Sequence, residues 1–167
     1  MIAASRPYLA TSLVLTLGMA VVILTALGFE HLGGYVPCAL CLLQRNPYYI
    51  GVPVGILAVI AAGLRLPPIV ARLLIGLIVI LMLVGAGLGV FHAGVEWRFW
   101  EGPASCSTSV NAISTSAGSL LDDINKQHGP SCTDATLRVL GLSFAGWNVV
   151  VSLILAAIGL RGALRKR

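Results

Sequence analysis

The chain has 167 residues, 57% of them apolar and 10% charged, where an ordinary soluble domain is about 45–50% apolar and about 25% charged. That composition excludes a single water-soluble domain, a disordered chain and a collagenous repeat. The formal charge of +5 gathers at the ends of apolar runs and forms no basic stripe, so a nucleic-acid footprint is not expected.

The first apolar run, 9–28, carries no charge and follows a start containing only Arg6. It is longer than the apolar stretch of a secretory signal, and Phe29-Glu30-His31 is a poor cleavage context, so a retained helix is expected. A second span is expected over 46–64, with Pro47 starting it and Pro53 kinking or loosening its interior. The third is expected over 73–91 and the fourth over 142–160. Each is close to the roughly 20 residues a helix needs to cross about 30 Å of hydrocarbon. Helices are required because lipid gives backbone groups no hydrogen-bond partner. Gly51 with Gly55, and Gly85 with Gly89, read as small surfaces for close helix approach, and Asn148 as a group that bonds across the bundle. The expected fold is an all-α membrane protein, a four-transmembrane-helix bundle forming one integral membrane domain over 1–167.

Orientation follows from the basic residues. Arg6, Arg65, Arg72, Arg161, Arg165, Lys166 and Arg167 share one side with the two ends and the short link between spans two and three. Arg45, Arg98, Lys126 and Arg138, with all the acids, fall on the other. Basic residues near span ends favour the cytoplasm, so both termini are expected inside. A short first loop, 29–45, and a long second loop, 92–141, then face the periplasm. The second loop shows no obvious strand. Trp97, Trp100 and Trp147 sit near its membrane junctions, as an aromatic belt would. Its middle is rich in Ser, Thr and Asn, and Ser119 to Lys126 has a weak capping pattern for a short surface helix.

All four cysteines lie in these loops: Cys38 and Cys41 in the first, Cys106 and Cys132 in the second. The outside of a bacterial inner membrane permits disulfides. Four cysteines allow three pairings, of which Cys38–Cys41 with Cys106–Cys132 is simplest because each closes within one loop. As a staple Cys38–Cys41 closes almost nothing. Cys-x-x-Cys is instead the spacing of disulfide oxidoreductases, whose first thiol is often activated by a helix start. Zinc is the other reading. However, the second pair lacks the spacing of a zinc ribbon, and His31, His92 and His128 form no ligand motif, so no metal is expected. Spacing and topology favour redox chemistry over staple and zinc. Arg45, one turn beyond Cys41 if the helix begins there, could lower the Cys41 pKa and stabilise charge developing on an electron acceptor. No haem or dinucleotide motif is visible, so the acceptor suggested by the setting is a lipid-soluble quinone.

Pro37-Cys-Ala-Leu-Cys-Leu-Leu-Gln-Arg45, followed by a Cys pair between spans three and four, resembles the DsbB disulfide bond formation proteins. The stretches Glu101-Gly-Pro-Ala-Ser-Cys106 and Leu140-Gly-Leu-Ser-Phe-Ala-Gly-Trp-Asn148 are similar to one bacterial branch of that family. The resemblance implies a membrane disulfide oxidoreductase that reoxidises a periplasmic thioredoxin-fold DsbA-like protein and passes two electrons to ubiquinone or menaquinone. A DsbA–DsbB–quinone relay of this kind keeps the bacterial periplasm oxidising. By the same resemblance Cys106 would be attacked by the partner, Cys132 would then attack Cys38, and Cys41 beside Arg45 would reduce the quinone. His92 falls where the family has a histidine near the quinone. One departure is Gln44, where better-known members carry an acid; its neutrality is expected to strengthen the field of Arg45. Vitamin K epoxide reductase-like proteins share helices, CxxC and quinones but place the loop cysteines first. A membrane scaffold with structural disulfides is the non-enzymatic alternative.

Overall fold

The computed structural model describes residues 6–103, 132 and 137–164. Four helices long and apolar enough to cross a membrane dominate it: α1 (Arg6–His31), α2 (Ala39–Gly63), α3 (Pro68–Glu96) and α4 (Phe144–Leu164). The chain is a multi-pass membrane protein, and the four expected spans are all present.

Their ends differ from the hydropathy boundaries, for local reasons. Helix α2 begins at Ala39, well before 46, because Cys38 takes the N-cap: its backbone is extended and its Sγ accepts the Cys41 N–H at 3.2 Å. Pro47 therefore sits inside the helix and does not start it, and α2 runs continuously through both Pro47 and Pro53. Helix α3 opens with Pro68 at its first position, where the missing N–H costs nothing. It continues past Phe91 to Glu96, carrying His92 as helix rather than loop. Helix α4 is capped by Ser143, whose hydroxyl accepts the Gly146 N–H at 3.2 Å.

One element was not expected. Strands β1 (Arg138–Val139) and β2 (Leu142–Ser143) pair antiparallel, with Arg138 opposite Ser143. Leu140 (φ 53°) and Gly141 (φ 85°) both take left-handed backbone, as the mirror-image turns of tight hairpins require. A leucine in the first of those positions hides the turn from a sequence reading. Trp147 Nε1–H donates to the Val139 carbonyl at 2.9 Å and ties the hairpin to α4. The short helix expected near 120–126 lies outside the described residues.

Helix α3 packs most extensively on α4 and α2, while α1 packs on α2 and more lightly on α4. Leu15 and Met19 from α1, Tyr48 from α2, Ile75, Ile78 and Met82 from α3, and Leu155 from α4 fill the centre. Outward-facing Leu17, Val21, Leu24, Leu73 and Ile80 present an apolar surface suited to lipid. A Cβ added at Gly51 would lie 2.6 Å from Met19 Sδ, and one at Gly89 would lie 2.7 Å from Val149 Cγ2. Those two glycines let α1 approach α2 and α3 approach α4, the packing role expected of the spaced pairs.

Candidate redox site

The start of α2 brings Cys38 and Cys41 together on adjoining turns. Both are free thiols with Sγ atoms 2.9 Å apart in a hydrogen bond. The structure thus holds the dithiol form of the pair for which a disulfide is expected. A short approach of the sulfurs would close it. Cys38 is 5% exposed and sits at a helix N-terminus, where the backbone favours negative charge. Its thiol is held well below the ordinary range, mainly by the hydrogen bond to the Cys41 thiol. Burial opposes this, while His92 and the Cys41 backbone N–H reinforce it. The favoured thiolate of the dithiol is therefore Cys38.

Behind Cys38 lies a buried polar chain. His92 is 3% exposed and places Nε2 at 3.6 Å from Cys38 Sγ. Gln44 Nε2 donates to His92 Nδ1 at 2.6 Å, and Gln44 Oε1 accepts from Asn148 Nδ2 at 2.7 Å. Asn148 also donates to the Gly85 carbonyl at 3.1 Å and accepts from Tyr48 Oη at 2.7 Å. Tyr48 reaches Ser152 at 2.7 Å. Groups from α2, α3 and α4 thus satisfy one another in a region where water cannot. Asn148 does bond across the bundle, as its position in the fourth span suggested.

On the other side of the same turn is a cavity of about 360 Å³ between α1, the start of α2 and the start of α4. Cys41, Arg45 and Tyr48 line it together with Phe29, Tyr35 and Phe144. Phe29 meets Tyr35 and Phe144 edge to face at 5.9 and 5.0 Å, which pins the end of α1 to the start of α4. Arg45 does not act there as a lone cation. Its guanidinium Nη1 is paired with Glu30 Oε2 from the end of α1. Glu30 compensates the Arg45 charge, while Gln44, which adds none, lines the same cavity and bonds His92 through its amide. His92 is not among the residues of the cavity wall and faces Cys38.

Cys132, from the long loop, is 1% exposed and packs in one cluster with Cys38, Leu40 and Val95, against which Cys41 also rests. It is disulfide-bonded. Cys106 lies outside the described residues. The structure therefore brings a cysteine of the second loop against the first pair, while Cys41 remains on the cavity side.

Two groups that sequence reasoning passed over complete the site. Glu30 and Glu96 were read only as outer-side charge, yet Glu30 holds Arg45, and Glu96 Oε1 lies 3.9 Å from His92 Nε2. Only the i, i+4 spacing of His92 and Glu96 on one helix hinted at this. Cys38, Cys41 and His92 offer donor atoms within 4.8 Å of one another, a metal-like grouping that no local spacing revealed.

The model of the family described as disulfide bond formation protein DsbB matches residues 9–161. The chain is 32% identical over 162 residues to disulfide bond formation protein B of Saccharophagus degradans, covering 95% of each chain. It is 27% identical over 168 residues to the protein of the same name from Herminiimonas arsenicoxydans, covering 98% of each. A third protein of that name, from Marinobacter nauticus, is 32% identical over 143 residues, covering 82% of this chain and 80% of its own. No solved structure gives a significant match.

Proposed function

The chain belongs to the DsbB family of disulfide bond formation proteins, and from that membership and the geometry of its cysteines we propose that it oxidises a thioredoxin-fold, DsbA-like thiol protein at the expense of membrane quinone. The observation that carries this reading is the burial of Cys132 in one cluster with Cys38, Leu40 and Val95 while Cys41 lines the adjacent cavity. A soluble partner needs a disulfide sulfur that it can reach; with Cys132 buried, Cys106 is the sulfur of the second loop assigned to meet it in this reading.

The partner's thiolate attacks Cys106, forming a mixed disulfide and releasing Cys132 as thiolate. A second partner thiol resolves that bond, leaving the partner oxidised and Cys106 and Cys132 as a dithiol. Cys132 attacks Cys38, breaks a Cys38–Cys41 disulfide and releases Cys41. Cys106 then attacks Cys132, re-forming the loop disulfide and leaving Cys38 and Cys41 as a dithiol. Quinone accepts two electrons and two protons, which restores the first disulfide.

The cavity suits a quinone head group. It is largely apolar, within the usual range of small-molecule sites, and it offers a thiol and a guanidinium donor at one end. Arg45 would orient a carbonyl oxygen and stabilise its developing charge, with Glu30 holding the guanidinium in place. His92 would serve the sulfur rather than the ring. By the basic-residue bias the cysteine end faces the periplasm of a bacterial inner membrane and both termini face the cytoplasm, with 1–167 acting as one domain.

The test is quinone-dependent oxidation of a reduced DsbA-like protein by purified membranes carrying each single Cys→Ser variant. All four are expected to lower steady-state turnover at least a hundredfold, about 2.7 kcal/mol in the barrier. Retained turnover in Cys41→Ser contradicts the route and favours a scaffold with structural disulfides.

A further inference from the structure

The polar chain behind Cys38 is oriented by backbone carbonyls, of which Gly85 gives the closer contact, Gln44 Nε2 also reaching the Leu40 carbonyl at 3.5 Å. The Gly85 carbonyl can only accept, so the group meeting it at 3.1 Å must be the amide NH2 of Asn148. The same Nδ2 donates its other hydrogen to Gln44 Oε1 at 2.7 Å, and the oxygen end of Asn148 accepts from Tyr48 Oη, which agrees with that orientation. Gln44 is then obliged to turn its own NH2 toward His92. A donor 2.6 Å from His92 Nδ1 makes that nitrogen an acceptor, and a neutral imidazole carries its proton on Nε2. Nε2 is the atom facing Cys38 Sγ at 3.6 Å.

We propose that Gln44 is a positioning residue that transmits the polarity fixed at the Gly85 carbonyl to His92, selects the Nε2–H tautomer and so aims an N–H at the Cys38 sulfur. An acid at this position would only accept, from Asn148 and from His92 Nδ1–H, and would reverse the tautomer. Gln44 therefore decides whether the imidazole presents a proton or a lone pair to the dithiol. Among the described residues, the titratable groups facing His92 are Cys38 and Cys41 from the start of α2 and Glu96 from the end of α3. The Glu96 side chain is buried, its Oε2 has no hydrogen-bond partner among the described residues, and Oε1 lies 3.9 Å from Nε2. A carboxylate there supports the same tautomer. Both the tautomer and the thiol titration are properties of the chain alone. They are read without quinone or partner protein, so failure here is distinct from failure of the proposed route.

The experiment uses the reduced full-length protein in detergent micelles with 15N-labelled histidine, the His92 signals being assigned by their loss in His92→Gln. The expected spectrum shows Nδ1 unprotonated and Nε2 protonated. In Gln44→Glu a proton is expected on Nδ1. Gln44→Met removes the donor without adding charge and serves if the acidic variant does not fold. With Cys106 and Cys132 replaced by serine, its Cys38 thiolate absorbance is expected to titrate about 0.5–1 higher in pH, the worth of one hydrogen bond. A wild-type His92 with the proton on Nδ1, an unprotonated Nδ1 in Gln44→Glu, or an unmoved titration in Gln44→Met overturns the proposal.

Discussion

Cys38 and Cys41 are three residues apart and touch the same cluster, yet their other neighbours differ. Cys38 faces the protein: a buried imidazole, a chain of amides and hydroxyls from three helices, and Cys132. Cys41 faces a largely apolar cavity whose cation is already paired with Glu30. A CxxC on the first turn of a helix need not be two equivalent thiols. The helix start places one sulfur at the N-cap, among the bundle's polar groups, and turns the other outward. In the proposed relay the first exchanges with protein sulfur and the second hands electrons to the acceptor.

The largest effect expected to break this contrast comes from the cavity side. Arg45→Met removes a charge-assisted donor worth about 1.5 kcal/mol, and the apparent KM for quinone is expected to rise about tenfold. Trapping of the partner at Cys106 should persist, read as a heavier band on a non-reducing gel. An unchanged quinone titration removes Arg45 from the acceptor site.

A smaller effect is expected on the sulfur side. His92→Ala removes one of the contacts that hold the Cys38 thiol low, so the thiolate absorbance of the reduced protein should titrate at higher pH. The sign follows from the lowered value. Folded, reduced protein gains stability from the Cys38 thiolate above the ordinary thiol range, and that gain is lost as pH falls through the lowered value. In His92→Ala the gain is smaller and its loss on acidification is complete at a higher pH, so the dithiol is less stabilised relative to the disulfide. A pH titration that does not move sets His92 aside as a partner of Cys38.

The smallest effect sharpens the contrast by sparing it. Tyr48→Phe removes the far end of the polar chain, at a cost of about 1 kcal/mol in stability. The Gly85 carbonyl still fixes Asn148, so the Cys38 titration should stay where it is. A shift as large as that of His92→Ala would mean that Tyr48, rather than Gly85, sets the polarity.

Much of this molecule is legible in sequence, and its limits are physical. Four charge-free runs announce four spans because the bilayer admits little else. Their ends are not legible in the same way: hydropathy falls at Phe91, but α3 turns on to Glu96, with His92 buried on its inner face. The N-cap role of Cys38 depends on one sulfur accepting one N–H, which no apolar pattern registers. Spacing marks CxxC, but it does not say which sulfur faces which neighbour. Gln44, Glu30 and Glu96 were ambiguous for a shared reason. A polar side chain at a membrane boundary reads as solvated until a distant helix supplies its partner, 48 residues away for Gln44 and His92. The hairpin at 138–143 was missed because two-residue strands leave no alternation to see.

In the proposed relay Cys38, and not Cys41, is the sulfur that meets the second loop. Mass spectrometry of two variants after oxidation distinguishes them: Cys41→Ser with Cys106→Ser, and Cys38→Ser with Cys106→Ser. A Cys38–Cys132 disulfide is expected in the first and little or no Cys41–Cys132 disulfide in the second. Equal cross-linking in both, or a preference for Cys41, would contradict that relay.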